Sequence, residues 1–366
     1  MAEFIAPQSL NAGVAIEPAD DSALASRVVQ LVLRTLRNSD VELTEQRLAE
    51  VVAKYIGAVR QVQTLEQQHT EMRQFFSPKV VETLASCGAA ALEPRQGPVS
   101  VLFCDVRGFS RKVEESSDDL HALLARVREA LGVMTRSILK YDGVIADFQG
   151  DAALGFWGWP DAADDSPALA CRAALAIQKA FAAAQRDPFH ELHGFHVGIG
   201  ICHGEALAGR IGSDEQIKVG VFGPIVNLAS RLQDLTKQVG VPILVDGATA
   251  DAVADFLPVS EATCRRVTRL RPAGIATPVD VFALSAPDSR GSRLSYVEEQ
   301  AYELAAEAIV AGQWGKARRL LEKLPVKHGP ANFLRRAIRD NGQQAPSDWD
   351  GVLTMDRKDH PAVLAG

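Results

Sequence analysis

Cysteine is scarce in this chain and follows no pattern. The five residues Cys87, Cys104, Cys171, Cys202 and Cys264 have no paired spacing in 366 residues. That argues against a disulfide framework or a thiolate metal centre, and it fits a reducing, cytoplasmic setting. No apolar run approaches the roughly 20 residues that span a bilayer, so membrane insertion is not expected. Met1–Ile5 carries no basic region and leads into no long apolar core, so it does not read as a secretory signal. No basic run exceeds two or three residues and the formal net charge is −7. Nucleic acid is therefore not an expected partner.

What is present is organised around Val99–Ser110. Val99, Val101, Leu102 and Phe103 read as a buried strand that ends in Asp105 and turns through Gly108. A helix is expected from about Asp118–Asp119, with Ser116 and Ser117 as capping candidates. A carboxylate at a strand end beside a glycine turn suits a hard cation together with phosphate oxygens held by turn amides. Alone, such an Asp is as readily a plain turn or cap residue. Tyr141–Gly158 adds a hairpin with a tight Gln149–Gly150 turn. Its Asp151 could meet Asp105 on a neighbouring strand, and two carboxylates brought together need a proton or a bridging cation such as Mg²⁺. In Val221–Leu232 a strand enters a helix through Gly223–Pro224, with Asn227 and Arg231 four apart on one face. An amide and a guanidinium so placed can hold a ribose oxygen and a pentavalent phosphate. A helix with a solvated Arg would look the same.

Taken together, these three pieces resemble the class III nucleotidyl cyclases, the adenylate and guanylate cyclase catalytic domain, over about residues 93–287. The resemblance implies an α+β, ferredoxin-like βαββαβ fold, a head-to-tail homodimer with sites across the subunit interface, and two divalent cations, Mg²⁺ or Mn²⁺. The implied reaction converts a nucleoside triphosphate to a 3′,5′-cyclic monophosphate and pyrophosphate. Asp105 and Asp151 match the two metal-binding aspartates, and Val106 belongs with them. Arg107, Gly108 and Phe109 fall in the phosphate-cradling turn. Asn227 matches the ribose-orienting Asn, Arg231 the transition-state Arg, and Arg271 the terminal-phosphate position. No side chain is an obvious general base.

The base positions depart from the adenylate-specific pattern. Four residues before Asp151, where those members carry a Lys, stands Asp147; seven before Asn227, where they carry Asp or Thr/Ser, stands Gly220. A carboxylate accepts from guanine N1–H and N2–H₂, so the reading leans to GTP, with ATP as the alternative. A cyclase-like scaffold that only binds nucleotide is the rival from another class. A diguanylate cyclase is set aside because its Gly-Gly-acidic-acidic-Phe signature is missing.

The remainder divides as 1–40, an N-terminal arm and helix; 41–92, coiled-coil and linker helices; and 288–366, a C-terminal helical region. Residues 1–20 read as a loose arm and Asp21–Arg37 as a helix. From Thr44 to about Phe76, heptads place Leu48, Tyr55, Val62 and Phe76 at a and Val51, Ala58, Leu65 and Met72 at d, with His69 interrupting. This predicts a parallel two-stranded coiled coil, against an amphipathic helix lying on its own domain. Ser77–Pro78 opens a short helix to about Ala89. So little precedes it that an upstream regulatory protein, or no input at all, is the expectation. His190, His193 and His196 lie on a loop-to-strand entry and would not share one face, so they are not read as a metal site. After a linker at Pro287, Ser289, Gly291 and Ser292, helices at Glu298–Ala311 and Lys316–Leu324 resemble one tetratricopeptide-like hairpin. A single repeat cannot bury its own face, so it should dock on the catalytic domain or a partner. Ser347–Val352 reads as an anchoring strap.

Overall fold

The computed structural model describes residues 45–75, 77–115, 119–213, 215–287 and 294–355. The expected arm at 1–20, the helix at 21–37, Phe76, Ser116, Ser117 and linker residues Ser289, Gly291 and Ser292 lie outside these, as do the side chains of Leu48, His69 and Met72. Two compact units divide the chain, Met1–Phe75 and Phe76–Gly366. In the first, helix α1 (Glu45–Phe75) spans the heptads. Its Val51, Tyr55, Val62 and Leu65 are 50%, 50%, 53% and 55% exposed, so the apolar stripe is uncovered there.

The second unit begins with α2 (Pro78–Cys87), whose proline occupies the first turn, where a missing N–H costs nothing. The order β1 (Arg95–Val106), α3 (Phe109–Glu115), α4 (Leu120–Lys140), β2 (Val144–Gln149), β3 (Ala152–Trp157), α5 (Ser166–Ala184), β4 (Val197–Gly212) follows. These strands pair as β2-β3-β1-β4, every pair antiparallel. With α3 as an extra turn, this is the expected ferredoxin-like βαββαβ arrangement. Asp119, not Ser116 or Ser117, caps α4: its carboxylate accepts from Ala122 N–H at 2.9 Å.

Alternation along the strands supplies two cores. Val101, Cys202 and Leu244 face one side of the sheet, while Leu102, Ile201 and Val245 face the other. Beyond β4 come β5 (Ile217–Phe222), which folds back on β4, then α6 (Pro224–Val239) and β6 (Ile243–Asp246), parallel to β4. Helix α6 crosses β4 so closely that a Cβ on Gly200 would lie 2.1 Å from Ala229 O. Glycine in the middle of that strand is what lets the helix seat, and the helix carries Asn227 and Arg231.

Next follow α7 (Gly247–Phe256), β7 (Thr263–Arg271) and β8 (Val279–Ser285); α7 and β7 were not anticipated from the sequence. Three C-terminal helices then appear where two were expected: α8 (Tyr296–Val310), α9 (Trp314–Leu321) and α10 (Gly329–Asp340). They dock on β7 and α6. Tyr302 Oη donates to Val267 O at 3.4 Å, and the Arg336 guanidinium donates to Gln238 O. The strap is present. Trp349 packs edge-on against Trp314 at 5.0 Å and donates to Ile309 O, and β9 (Leu353–Thr354) adds parallel to β7. Among the described residues, no helix is long and apolar enough to cross a membrane.

Candidate active site

Asp105 closes β1 beside the antiparallel pairing of Cys104 with Ala153, and Asp151 sits at the turn that opens β3. Register alone brings them together. Val106 N–H donates to Asp151 Oδ2 at 3.2 Å, so the second carboxylate lies against the backbone of the residue after the first. Burial, then the nearby Asp151 charge, pushes Asp105 up to about 7. Burial also raises Asp151. Among the described residues no Lys, Arg or His forms an ion pair with either acid. Two half-buried carboxylates with no counter-charge, next to the Val106 backbone, form a hard oxygen donor set. It fits a small divalent cation such as Mg²⁺ or Mn²⁺.

After Val106 the chain turns. Arg107 N–H is taken by His196 O at 2.8 Å. Gly108 has φ +70, and a Cβ there would touch nothing within 4 Å, so its backbone conformation rather than crowding calls for glycine. The N–H groups of Gly108 and Phe109 have no acceptor among the described residues. The Arg107 side chain runs inward, its guanidinium donating to Val241 O.

Asn227 is exposed on the first turns of α6, and Arg231 lies one turn further on. Arg231 Nη1 pairs with Asp234 Oδ2 at 3.2 Å. Asp234 also contributes to the rise at Asp105, which sets this part of α6 near the end of β1. Among the described residues, no hydrogen bond or ion pair links Asn227 or Arg231 to Asp105 or Asp151.

Asp147, on β2, accepts from Phe148 N–H through Oδ1 at 3.0 Å and from Lys218 Nζ through Oδ2 at 2.5 Å. Lys218 and Gly220 are two apart on β5, hence on one face. Arg271 ends β7: Nε donates to Ala276 O at 3.1 Å, Nη1 to Thr354 Oγ1 at 3.2 Å, and Nη2 lies 3.6 Å from Asp350. The sequence reading passed over Lys218, Asp234 and Asp350. The i,i+3 spacing from Arg231 could have flagged the second. Nothing local marks Asp350. The histidines of 190–196 form no metal cluster with other ligating groups among the described residues.

Residues 92–271 match the family model described as the adenylate and guanylate cyclase catalytic domain. Adenylate cyclase 1 of Rhizobium meliloti (strain 1021) is 30% identical over 181 residues, 49% of this chain and 25% of that one. The adenylate cyclase of Anabaena cylindrica is 29% identical over 180 residues, 46% of this chain and 32% of that one. The chain thus spans a quarter to a third of these relatives. The solved structure of a bacterial light-regulated adenylyl cyclase superposes with a TM-score of 0.53 at 19% identity, covering 67% of each chain, and shares the fold.

Proposed function

Residues 92–271 belong to the adenylate and guanylate cyclase catalytic family, and from that premise we propose that the protein is a dimeric nucleotidyl cyclase, converting a nucleoside triphosphate to its 3′,5′-cyclic monophosphate and pyrophosphate. The observation that carries the reading is the Asp105–Asp151 pair, two carboxylates raised by burial that form no ion pair with a cationic side chain among the described residues. Asp105 and Asp151, with Val106, would hold divalent cations, which when bound supply Lewis acidity toward the ribose 3′-hydroxyl and offset the triphosphate charge. The free N–H groups of Gly108 and Phe109 bind phosphate oxygens, and Arg271 takes the terminal phosphate.

Asn227 and Arg231 act from the partner subunit. Among the described residues no hydrogen bond or ion pair joins them to the acid pair within one chain, which supports this assignment. Asn227 orients the ribose. Arg231 neutralises charge at the α-phosphorus as the 3′-oxygen attacks in line, the new O3′–P bond forming while the bond to pyrophosphate breaks. The 3′-proton leaves to solvent, since no side chain is placed as a base. Asp147 and the side-chain-free Gly220 favour guanine, hence GTP. ATP is the second reading, favoured by the two named relatives, both adenylate cyclases.

The test mixes inactive Asp105→Ala chains with inactive Arg231→Ala chains and measures cyclic nucleotide from GTP and ATP. Random exchange makes half the dimers mixed, each with one intact site, so recovery to about a quarter of wild-type activity is expected. No recovery, with chain exchange verified by mass, would overturn the shared site.

A further inference from the structure

We propose that Arg107 is a positioning residue of the cyclase site: its side chain ties the phosphate-binding turn to the loop that joins α6 to β6, and α10 of the C-terminal region holds that loop from behind. The inference rests on the cyclase reading above and deepens it, giving the C-terminal region a part in binding the triphosphate. The direction of the side chain is the first observation. Arg107 stands between Val106 and Gly108, in the turn whose amides take phosphate oxygens, yet its guanidinium turns inward and donates to Val241 O, 134 residues further on. Its backbone N–H is held separately, by His196 O at 2.8 Å, so the side-chain bond is a second tether on the same residue. Nε is buried and has no hydrogen-bond partner among the described residues. This guanidinium gives up solvent for a neutral carbonyl and leaves one N–H unmatched, so it stabilises the fold little. What it does is fix where the turn lies.

The second observation is how firmly Val241 O is placed. Gly240 N–H and Val241 N–H both donate to Thr236 O, at 2.9 and 3.1 Å, and Pro242 O accepts from Ile199 N–H at 2.8 Å. The third lies on the far side of the loop. Helix α10 begins at Gly329, where a Cβ would lie 2.5 Å from Gly240 O and 2.7 Å from Val239 O. Glycine is needed at 329 because the start of the helix rests on the backbone of the loop. Further along α10, the Arg336 guanidinium donates to Gln238 O. The helix therefore grips residues 238–240, and Arg107 takes the next carbonyl, that of Val241. A displacement of the loop is passed through this one side chain to Gly108 and Phe109. Their amides must meet phosphate oxygens within the narrow geometry of a hydrogen bond, so a small displacement costs binding.

The experiment uses the full chain with Mg²⁺. It measures affinity for GTP and ATP analogues with a methylene in place of the α,β-bridging oxygen, KM and kcat for the parent nucleotides, and the melting point. Arg107→Met keeps an apolar stem and removes the donors. It is expected to weaken analogue binding and raise KM about tenfold, with kcat within about twofold of wild type. Its melting point should stay near wild type, since the unmatched Nε goes with the lost bond. Arg107→Lys keeps one donor and should recover most of the affinity. Arg336→Met, which loosens the loop at Gln238, should weaken the same analogues about threefold. In the double variant the two losses should not add, because with the Arg107 tether cut α10 has no route to the turn. The proposal is overturned if Arg107→Met lowers the melting point while affinity and KM stay put, if Arg107→Lys recovers nothing, or if Arg336→Met leaves binding unchanged. Losses that add in full would also overturn it, making Arg107 a direct phosphate ligand and α10 an independent support. So would a loss confined to kcat in Arg336→Met, since α10 would then act through Asn227 and Arg231 of α6. Analogue binding that follows the expected pattern without any turnover supports the tether and counts against the cyclase reading. Binding of neither analogue ends both.

Discussion

At the β2-β3-β1 end of the sheet, Asp105 and Asp151 stand half-buried with like charges together and, among the described residues, no ion pair to a cationic side chain. At the β8-β7-β9 end the buried ring nitrogens of the docked helices and strap find backbone partners, while Arg266 Nε and Thr268 Oγ1 of β7 are buried without one among the described residues. Trp314 Nε1 donates to Ile309 O at 3.2 Å, Trp349 Nε1 to the same carbonyl at 3.0 Å, and His328 Nδ1 accepts from Ala331 N–H at 3.2 Å. Both ends belong to one sheet with one pair of cores, so their difference does not come from architecture. One end keeps an electrostatic mismatch that a bound cation would relieve. The other carries no such pair of like charges and uses its matched ring nitrogens to hold the helices down. Side chains that pack well and leave nothing unmatched stabilise; side chains held in unfavourable company are reserved for a ligand.

The sharpest way to break the comparison is to exchange the expected losses. Asp105→Ala and Asp151→Ala should each lower turnover by roughly 10³-fold or more while the fold persists. Trp314→Ala, which empties a fully buried ring site, should cost roughly 3–5 kcal/mol of stability, with the surviving folded enzyme close to the wild-type kcat. Steady-state rates beside thermal melts separate the two. An Asp105→Ala chain that keeps its rate, or a Trp314→Ala chain that keeps its melting point, would erase the distinction.

A second test uses pH. Folding raises Asp105 from its ordinary 3.8 to about 7, so the folded form binds that proton more tightly than the unfolded form does. The stability linked to this group is full below about 4 and is lost as pH rises through about 7. Asp105→Asn lacks the titration. Its melting point in chelator should therefore gain on the wild type from pH 5 to pH 8. Mg²⁺ at pH 8 should restore the wild type and leave the variant unmoved. Parallel melting curves across that range would mean the pair is not strained.

Much of the acid end was legible because its signals are local: a β-branched run ending in Asp105, a Gln149–Gly150 turn before Asp151, and two polar residues one helical turn apart. The β8-β7-β9 end was harder to read. In β7, the run Arg265, Arg266 and Arg269 hides a strand whose buried positions are Val267, Thr268 and Leu270. Helix α10 is rich in arginine, so its buried Phe333, Leu334 and Ile338 do not stand out as a periodic run. Small residues make up most of α7 and leave little periodic contrast. Lys218 escaped for a different reason. Its ion pair with Asp147 depends on β5 lying beside β2, and no spacing within one segment encodes that meeting.

Arg271 joins the two ends and gives the smallest expected effect. Under the proposed function it takes the terminal phosphate, yet its backbone pairs with β9 and its side chain with Thr354 and Asp350. The pair with Asp350 is 3.6 Å long, with side chains 32% and 56% exposed, so its contribution is at most about 1 kcal/mol. A carboxylate beside a phosphate-binding arginine also repels the incoming triphosphate. Asp350→Ala removes that repulsion and leaves the guanidinium held by Ala276 O and Thr354 Oγ1. The KM for the triphosphate should then fall, by less than about fivefold, with kcat unchanged. Arg271→Ala should raise KM by more than Asp350→Ala lowers it. A KM that instead rises in Asp350→Ala would make Asp350 a positioning residue for the arginine, and the strap would then belong to the site as well as to the scaffold.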